Sequence, residues 1–297
     1  MFNYYKNFSF GLLIVLLLLL VGCQSPPQES LLSKETPTVD AVAPTDALEP
    51  TVTAVALAAE VNGEPILLEE FEAEATRYQA ALGTELATED QQIVLDTMID
   101  EMIFAQAATR AGFTLNDVDL QAHIDQLGLT PEELAQWIQA NGYTEDSFHA
   151  ALGRSITAAW MRDQLAAGVP RTVEQIHARQ ILLYNSDEAE TILGQLDAGA
   201  DFATLAEQYD PVIKGDLGWF PRGYLTVPEL DAVIFELEPG SYSPVIETAL
   251  GYHIVQVIEY DGAHALTLSA YQVVQHQALE QWLRQQRDQS EIMLYLP

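Results

Sequence analysis

What constrains this chain most is a change of pattern near Pro170. Upstream, apolar residues recur at the three-to-four spacing of amphipathic helices: Val94, Met98, Ile99, Met102 and Ile103, with Gln106 on the same stripe. The spacing predicts helices over 68–82, 90–111, 117–127, 131–140, 144–151 and 153–167. Start and stop signals support them: Gly112 as a C-cap, Asn116 with Asp119, and Thr130 followed by Pro131 and Glu133. Before these helices, AEVNGEPILL (Ala59 to Leu68) reads as a strand pair turning at Asn62 and Gly63.

Downstream of Pro170 the order becomes strand, helices, strand, helix, strand, strand. Strands are expected at Ile176–Tyr184, Ser241–Glu247 and Tyr252–Tyr260. Helices are expected from a Ser186 cap to Asp197, over Phe202–Tyr209, and between Pro228 and Leu237. This order indicates an α+β domain with a mostly antiparallel sheet. The last segment, Ser269–Gln289, carries Tyr271, Val274, Ala278, Leu279, Trp282 and Leu283 on one face and needs a partner. Glu291–Leu296 reads as a closing strand. At 297 residues the chain has room for about two domains.

The N-terminus is built differently. Lys6 precedes an apolar stretch, Phe10 to Val21, too short for the roughly 20 residues of a spanning helix, so it reads as an export signal. Leu20, Val21, Gly22 and Cys23 look like the lipobox of bacterial lipoproteins, in which the cysteine is lipidated and the signal is cut before it. The alternative is an ordinary secretory signal with a chance cysteine. Gln24 to about Val55 is rich in Pro, Thr, Ser, Ala and acidic residues and reads as a disordered tether spanning roughly 30 Å or more.

Charge and cysteine content exclude several function classes. Forty-four acidic residues against 12 basic ones give a formal net charge of minus 32, which repels nucleic-acid phosphates. The lone Cys23 permits neither an internal disulfide nor a cysteine zinc site, and no metal or cofactor is expected. Neither GxSxG nor HExxH occurs, so a hydrolase has little support.

A specific set of motifs lies between residues 174 and 261. GDLGWF (Gly215 to Phe220), Pro221, Arg222 and Gly223, Val227 to Glu229, Phe235, Pro239 and Gly240, and GYHI (Gly251 to Ile254) together resemble the parvulin family of peptidyl-prolyl isomerases. Ala59 to Leu68 and the helices after it resemble the chaperone domain of SurA and PrsA type foldases. The resemblance implies a parvulin-like antiparallel sheet with helices, inserted in a mostly helical SurA-like chaperone domain on which the C-terminal helix and strand pack back. The implied layout is a signal peptide over 1–22, a Pro/Thr-rich linker over 23–56, a chaperone domain over 57–169, an isomerase domain over 170–262, and the returning segment over 263–297.

Isomerising an X-Pro bond needs no nucleophile and no cofactor, because the barrier of about 18–20 kcal/mol is amide resonance lost on twisting. An apolar pocket for the proline ring and polar groups that favour the twisted amide suffice. By resemblance, Leu217 matches the family's pocket leucine. Leu225 stands where a methionine is usual, and Leu230 where a phenylalanine is, once an extra residue near Thr226 or Val227 is accommodated. Phe220 joins this substrate-binding set, and with Trp219 also reads as filler between sheet and helix. His253 matches the second histidine of the family's dyad, whereas Gln180 replaces the first. His177, three residues earlier on the strand, faces the other way. The loop between Tyr209 and Gly215 is shorter than usual, and Asp210 is its catalytic candidate, although aspartate before proline is also a routine turn residue.

Two functions are therefore expected. One is an extracytoplasmic, lipid-anchored isomerase that helps newly exported, proline-containing polypeptides fold and also acts as a chaperone. The other is a tethered peptide-binding chaperone whose parvulin fold has lost most or all catalysis. Gln180 and the short loop favour the second; GDLGWF, the leucines and His253 favour the first.

Overall fold

The computed structural model describes residues 56–296. The expected signal peptide, the expected lipidation at Cys23 and the expected tether up to Val55 all fall outside them. The described chain forms two compact units. One runs to Met161 and resumes at Gln286; the other takes Arg162–Gln285.

The first unit opens with β1 (Leu57–Val61) and β2 (Glu64–Leu67), joined at Asn62 and Gly63. Both have positive φ, 53° and 83°, as the favoured two-residue hairpin turn requires, and Asn-Gly tolerates this best. The strand β7 (Ile292–Leu294) adds antiparallel to the free edge of β1, giving the order β2-β1-β7. The expected strand Glu291–Leu296 is thus shorter than its apolar run.

Helices α1 (Leu68–Leu82), α2 (Thr88–Arg110), α3 (Asp117–Asp125), α4 (Pro131–Ala140) and α5 (Glu145–Ala167) follow. Two of the expected caps form. Asn116 Oδ1 accepts the Asp119 N–H, and Thr130 and Glu133 exchange side-chain-to-backbone bonds of 3.3 and 2.8 Å. The two helices expected over 144–151 and 153–167 are one. Gly153 costs a helix interior about 1 kcal/mol, and burial of Phe148 and Ala158 on either side carries the helix through it. Val94, Leu95, Ile99, Met102, Ile103 and Phe104 form the buried stripe of α2.

The interior polar residue Gln106 donates to Val61 O and accepts from Asn62 Nδ2, both at 2.8 Å. Asn62 Oδ1 also accepts the Glu291 N–H at 2.9 Å, so one turn residue joins the hairpin, α2 and the returning C-terminus. A second tie is Arg287, which donates to Asp96 and Asp100, one turn apart on α2.

The second unit holds β3 (Thr172–Leu183), α6 (Ser186–Asp197), α7 (Phe202–Tyr209), β4 (Asp216–Phe220), α8 (Pro228–Ile234), β5 (Ile246–Thr248), β6 (Gly251–Ala265) and most of α9 (Leu268–Gln289). Its sheet is antiparallel throughout, ordered β4-β3-β6-β5. One face presents Ile181, Leu183 and Ile254 to Ala189, Ile192 and Leu196 of α6 and Phe202, Leu205 and Ala206 of α7. The other presents Ile176, Ala178, Val255 and Val257 to Phe220 and to Leu230 and Ile234 of α8. Asn185, not Ser186, caps α6, accepting the Glu188 N–H. The strand expected at Ser241–Glu247 is broken: Tyr242 makes a single bridge to Gln256, Pro244 has no N–H to offer, and pairing resumes only at Ile246. The start of α9 is anchored in this unit, where Tyr271 Oη donates to Val169 O and the Arg171 guanidinium lies 3.9 Å from the Tyr271 ring centroid.

Burial, and then the neighbouring Asp96, raise the Asp100 carboxyl to about 6 against the pull of Arg287. Burial lowers the Arg287 guanidinium, but Asp100 and Asp96 more than reverse this. The ion pair is therefore attractive, while desolvation still dominates at Asp100. A carboxyl raised in the folded state contributes stability that is complete below 3.8 and lost as pH rises through about 6. Urea titrations should show wild type losing roughly 1–3 kcal/mol relative to Asp100→Asn between pH 4 and pH 7. Parallel curves would show that Asp100 titrates normally.

Candidate active site

The ladder between β3 and β6 sets the site. Gln180 pairs with Val255 and Leu182 with His253, and directly opposed residues of antiparallel strands share a face. Alternation then puts Gln180 and His253 diagonally adjacent on the face that carries the Phe220 and Leu230 cluster. The two side chains meet: His253 Nδ1 lies 2.9 Å from Gln180 Oε1. The other ring nitrogen, Nε2, lies 3.0 Å from Thr248 Oγ1 at the end of β5.

With the Gln180 carbonyl facing the ring, Nδ1 carries the proton and donates, and Nε2 accepts from the Thr248 hydroxyl. Turning the Gln180 amide over reverses the chain: the amide N–H donates to Nδ1, Nε2–H donates to Thr248, and the hydroxyl donates to Gly251 O, 3.2 Å away. Glutamine thus supports either tautomer. His253 is 2% exposed. Its burial holds the imidazole below its ordinary value, partly offset by the negative charge of Glu229, so the ring is neutral at pH 7.

The apolar set gathers on this face. Leu217 and Leu225 are partly buried and pack against the cluster of Phe220, Leu230, Ile234 and Val255. Phe220 is fully buried and Leu230 is 4% exposed, so they support the shelf from beneath, while Leu217 and Leu225 keep surface that a ligand can touch. Phe220 fills the space between sheet and helix as expected. Trp219 does not: it lies half-buried between His177 and His264, stacked on the latter at 4.1 Å. His177 bonds Asp216 Oδ1 at 2.8 Å, away from the pair.

Asp210 is placed differently from the other candidates. It ends α7, and its Oδ1 accepts the Val212 and Ile213 N–H groups at 3.1 Å, a loop-forming arrangement. Both His253 nitrogens are taken by Gln180 and Thr248. The loop that Asp210 shapes does reach the site's edge through its backbone, since Gly215 O accepts the Gln180 N–H at 2.8 Å. A Cβ on Gly215 would sit 2.0 Å from Gln180 O, and its φ is +69°, so only glycine fits. Thr248 and Glu229 were not foreseen; their relation to His253 depends on the β5–β6 register and the placement of α8. Among the described residues no three His, Cys, Asp or Glu side chains gather as metal ligands.

Comparison with known proteins matches two families along the chain. Residues 6–162 match the SurA-like N-terminal domain. The chain belongs to that family. Residues 184–259 match the PPIC-type PPIase domain, which contains His253 and the shelf leucines, with Gln180 just outside the matched span. The foldase protein PrsA of Halalkalibacterium halodurans is 28% identical over 192 residues, covering 57% of this chain and 57% of that protein. The chaperone SurA of Burkholderia thailandensis is 32% identical over 155 residues, covering 45% of this chain and 34% of that one. The matches thus span between a third and somewhat over half of these relatives' lengths. A crystal structure of PrsA from Bacillus cereus aligns over 77% of this chain and 88% of its own, with 19% identity and a TM-score of 0.44.

The geometry makes a direct expectation for His253. Long-range ¹H–¹⁵N spectra should show a neutral ring at pH 7 with a titration midpoint below 6.5; a midpoint above 6.5 would contradict the burial argument. Gln180→Leu, which leaves a buried ring nitrogen without its partner, should destabilise the fold by about 1–3 kcal/mol.

Proposed function

We propose that this chain is a bacterial extracytoplasmic foldase that catalyses cis/trans isomerisation of X-Pro bonds in exported polypeptides and also holds client chains. One observation carries the reading: the part-buried Gln180 is hydrogen-bonded at 2.9 Å to the buried, neutral ring of His253, on the same sheet face as a leucine shelf. Leu217 and Leu225 grip the proline ring from the shelf. A planar amide owes part of its stability to resonance charge separation that water supports. An apolar site withdraws that support and favours the twisted, less polar amide. Gln180, only part-buried, offers a substrate the end of its amide that His253 does not hold, a group that needs no net charge and can be turned between donor and acceptor as the imide nitrogen becomes pyramidal. The matched PPIC-type domain supports this activity.

In this reading residues 57–169, with 263–297, hold the client and residues 170–262 carry the isomerase. An export signal over 1–22 directs the chain out of the cytoplasm, lipidation at Cys23 anchors it to a membrane, and residues 23–56 tether the folded part. A second reading, a peptide clamp without turnover, is favoured by two features: Gln180 stands where parvulins carry the first histidine of their dyad, and the loop between Tyr209 and Gly215 is shorter than theirs.

NMR exchange spectroscopy on a short Ala-Pro peptide separates the two. With substoichiometric full-length protein, exchange should be enhanced, and His253→Leu should abolish the enhancement. Leu225→Ala should weaken peptide binding by roughly 1–3 kcal/mol, and Gln180→His should raise turnover. Binding shifts without enhanced exchange would establish the clamp. Unchanged affinity in Leu225→Ala would remove the shelf from the site.

A further inference from the structure

The first unit contains a cavity of about 330 Å³ between α1, α2, the loop after α4 and the start of α5. Isomerase chemistry makes no use of it. Ala73, Val94, Met98 and Ala151 supply its apolar wall, and Tyr143 closes one side. That ring is held rigidly. The Arg77 guanidinium lies 3.9 Å from its centroid, Trp137 stacks at 6.1 Å, and Phe148 meets it edge-on at 6.0 Å. Burial, then Glu74, push the Tyr143 hydroxyl up to about 12, so it remains a neutral polar group.

The charged part of the lining, which includes the exposed Glu69 and serves as the lip, has the opposite character. Glu69, Glu70, Glu74 and Glu101 line the cavity with Arg77 and Arg154, so carboxylates outnumber guanidinium groups by two to one. Arg77 is committed within the wall: two of its nitrogens donate to Glu74 Oε2 at 2.6 and 3.0 Å, and a third to Asn141 O at 3.1 Å. A ligand therefore meets an apolar interior behind an excess of negative charge, on a chain whose own charge is minus 32. The volume lies at the small end of the roughly 300–1,000 Å³ of ligand sites and suits one large side chain with some flanking backbone. Acidic or phosphorylated ligands are repelled from such a lip.

We propose that this cavity is a client-binding subsite that takes one large apolar or aromatic side chain of an unfolded polypeptide, preferring segments in which that side chain is flanked by lysine or arginine. This rests on the client-holding part of the reading above and names the chemistry of the segment held. The apolar wall takes the anchor, and the carboxylates of the lip meet the flanking cations. Glu69 is exposed and Glu70, Glu74 and Glu101 partly so, so the flanking contacts contribute modestly and weaken with salt.

The test uses full-length protein and fluorescent, unstructured peptides without proline, so that the isomerase site is not engaged. Two peptides share a central phenylalanine, flanked by lysines in one and glutamates in the other. The lysine peptide should bind at least about fivefold more tightly at low ionic strength, with the difference shrinking as salt is added. Ala151→Trp, which fills the cavity, should abolish binding while leaving Ala-Pro exchange unchanged. Glu69→Lys, at an exposed position, should narrow the preference without affecting folding. Equal binding of the two peptides, or an Ala151→Trp protein that folds and binds as wild type does, would overturn the proposal. Wild type that captures neither peptide and fails to suppress aggregation of an unfolded protein would instead overturn the client-holding reading itself.

Discussion

The first unit depends on bringing the end of the chain back to its beginning. The chain leaves this unit after Met161 and re-enters it at Gln286, and closing so long a loop is entropically unfavourable, although the penalty grows only slowly with length. Three polar devices hold the return. Strand β7 completes the backbone pairing of β1, Arg287 spans two carboxylates on α2, and Asn62 bonds across 229 positions to Glu291. Asn62 is the economical part, since the backbone conformation that turns the hairpin also aims its amide at Gln106 and the C-terminal segment.

In the second unit the same role belongs to the register of β3 against β6. Slipping it by one residue would send His253 to the face under α6 and α7 and part it from Gln180. The register is held by alternation on two buried faces at once, Ile181, Leu183 and Ile254 on one and Ala178, Val255 and Val257 on the other. His253 can then be buried beside leucines because both of its ring nitrogens have partners. The amide of Gln180 gives His253 a hydrogen bond that can run in either direction.

Local features were legible in the sequence. Thr130, Pro131 and Glu133 announce a helix start, Asn62 and Gly63 a turn, and the caps at Asn116 and Thr130 form as their chemistry requires. Where local preference and packing disagreed, packing prevailed, as at Gly153 inside α5. The apolar residues of Ser241–Glu247 suggested a strand, but a single proline without an N–H prevents it. The site was visible only in part. His253, the leucines and the filling role of Phe220 stood in recognisable motifs, whereas the bond from His253 to a residue 73 positions away and the partnership with Thr248 follow from register. The cavity behind Glu69 and Glu70 has no sequence signature, because its wall is shared among three helices and a loop.

The broken outer strand has a consequence of its own. A sheet ending in an open edge offers a row of unpaired amides to any extended chain that passes. Here one border is β5, three residues long, preceded by Pro244, and the other is β4, five residues long and interrupted by a bulge in its pairing with β3. Neither offers enough continuous pairing to template another strand. An extended chain that meets this sheet is thereby left to contacts made by side chains, and the sheet is spared from seeding edge-to-edge aggregation.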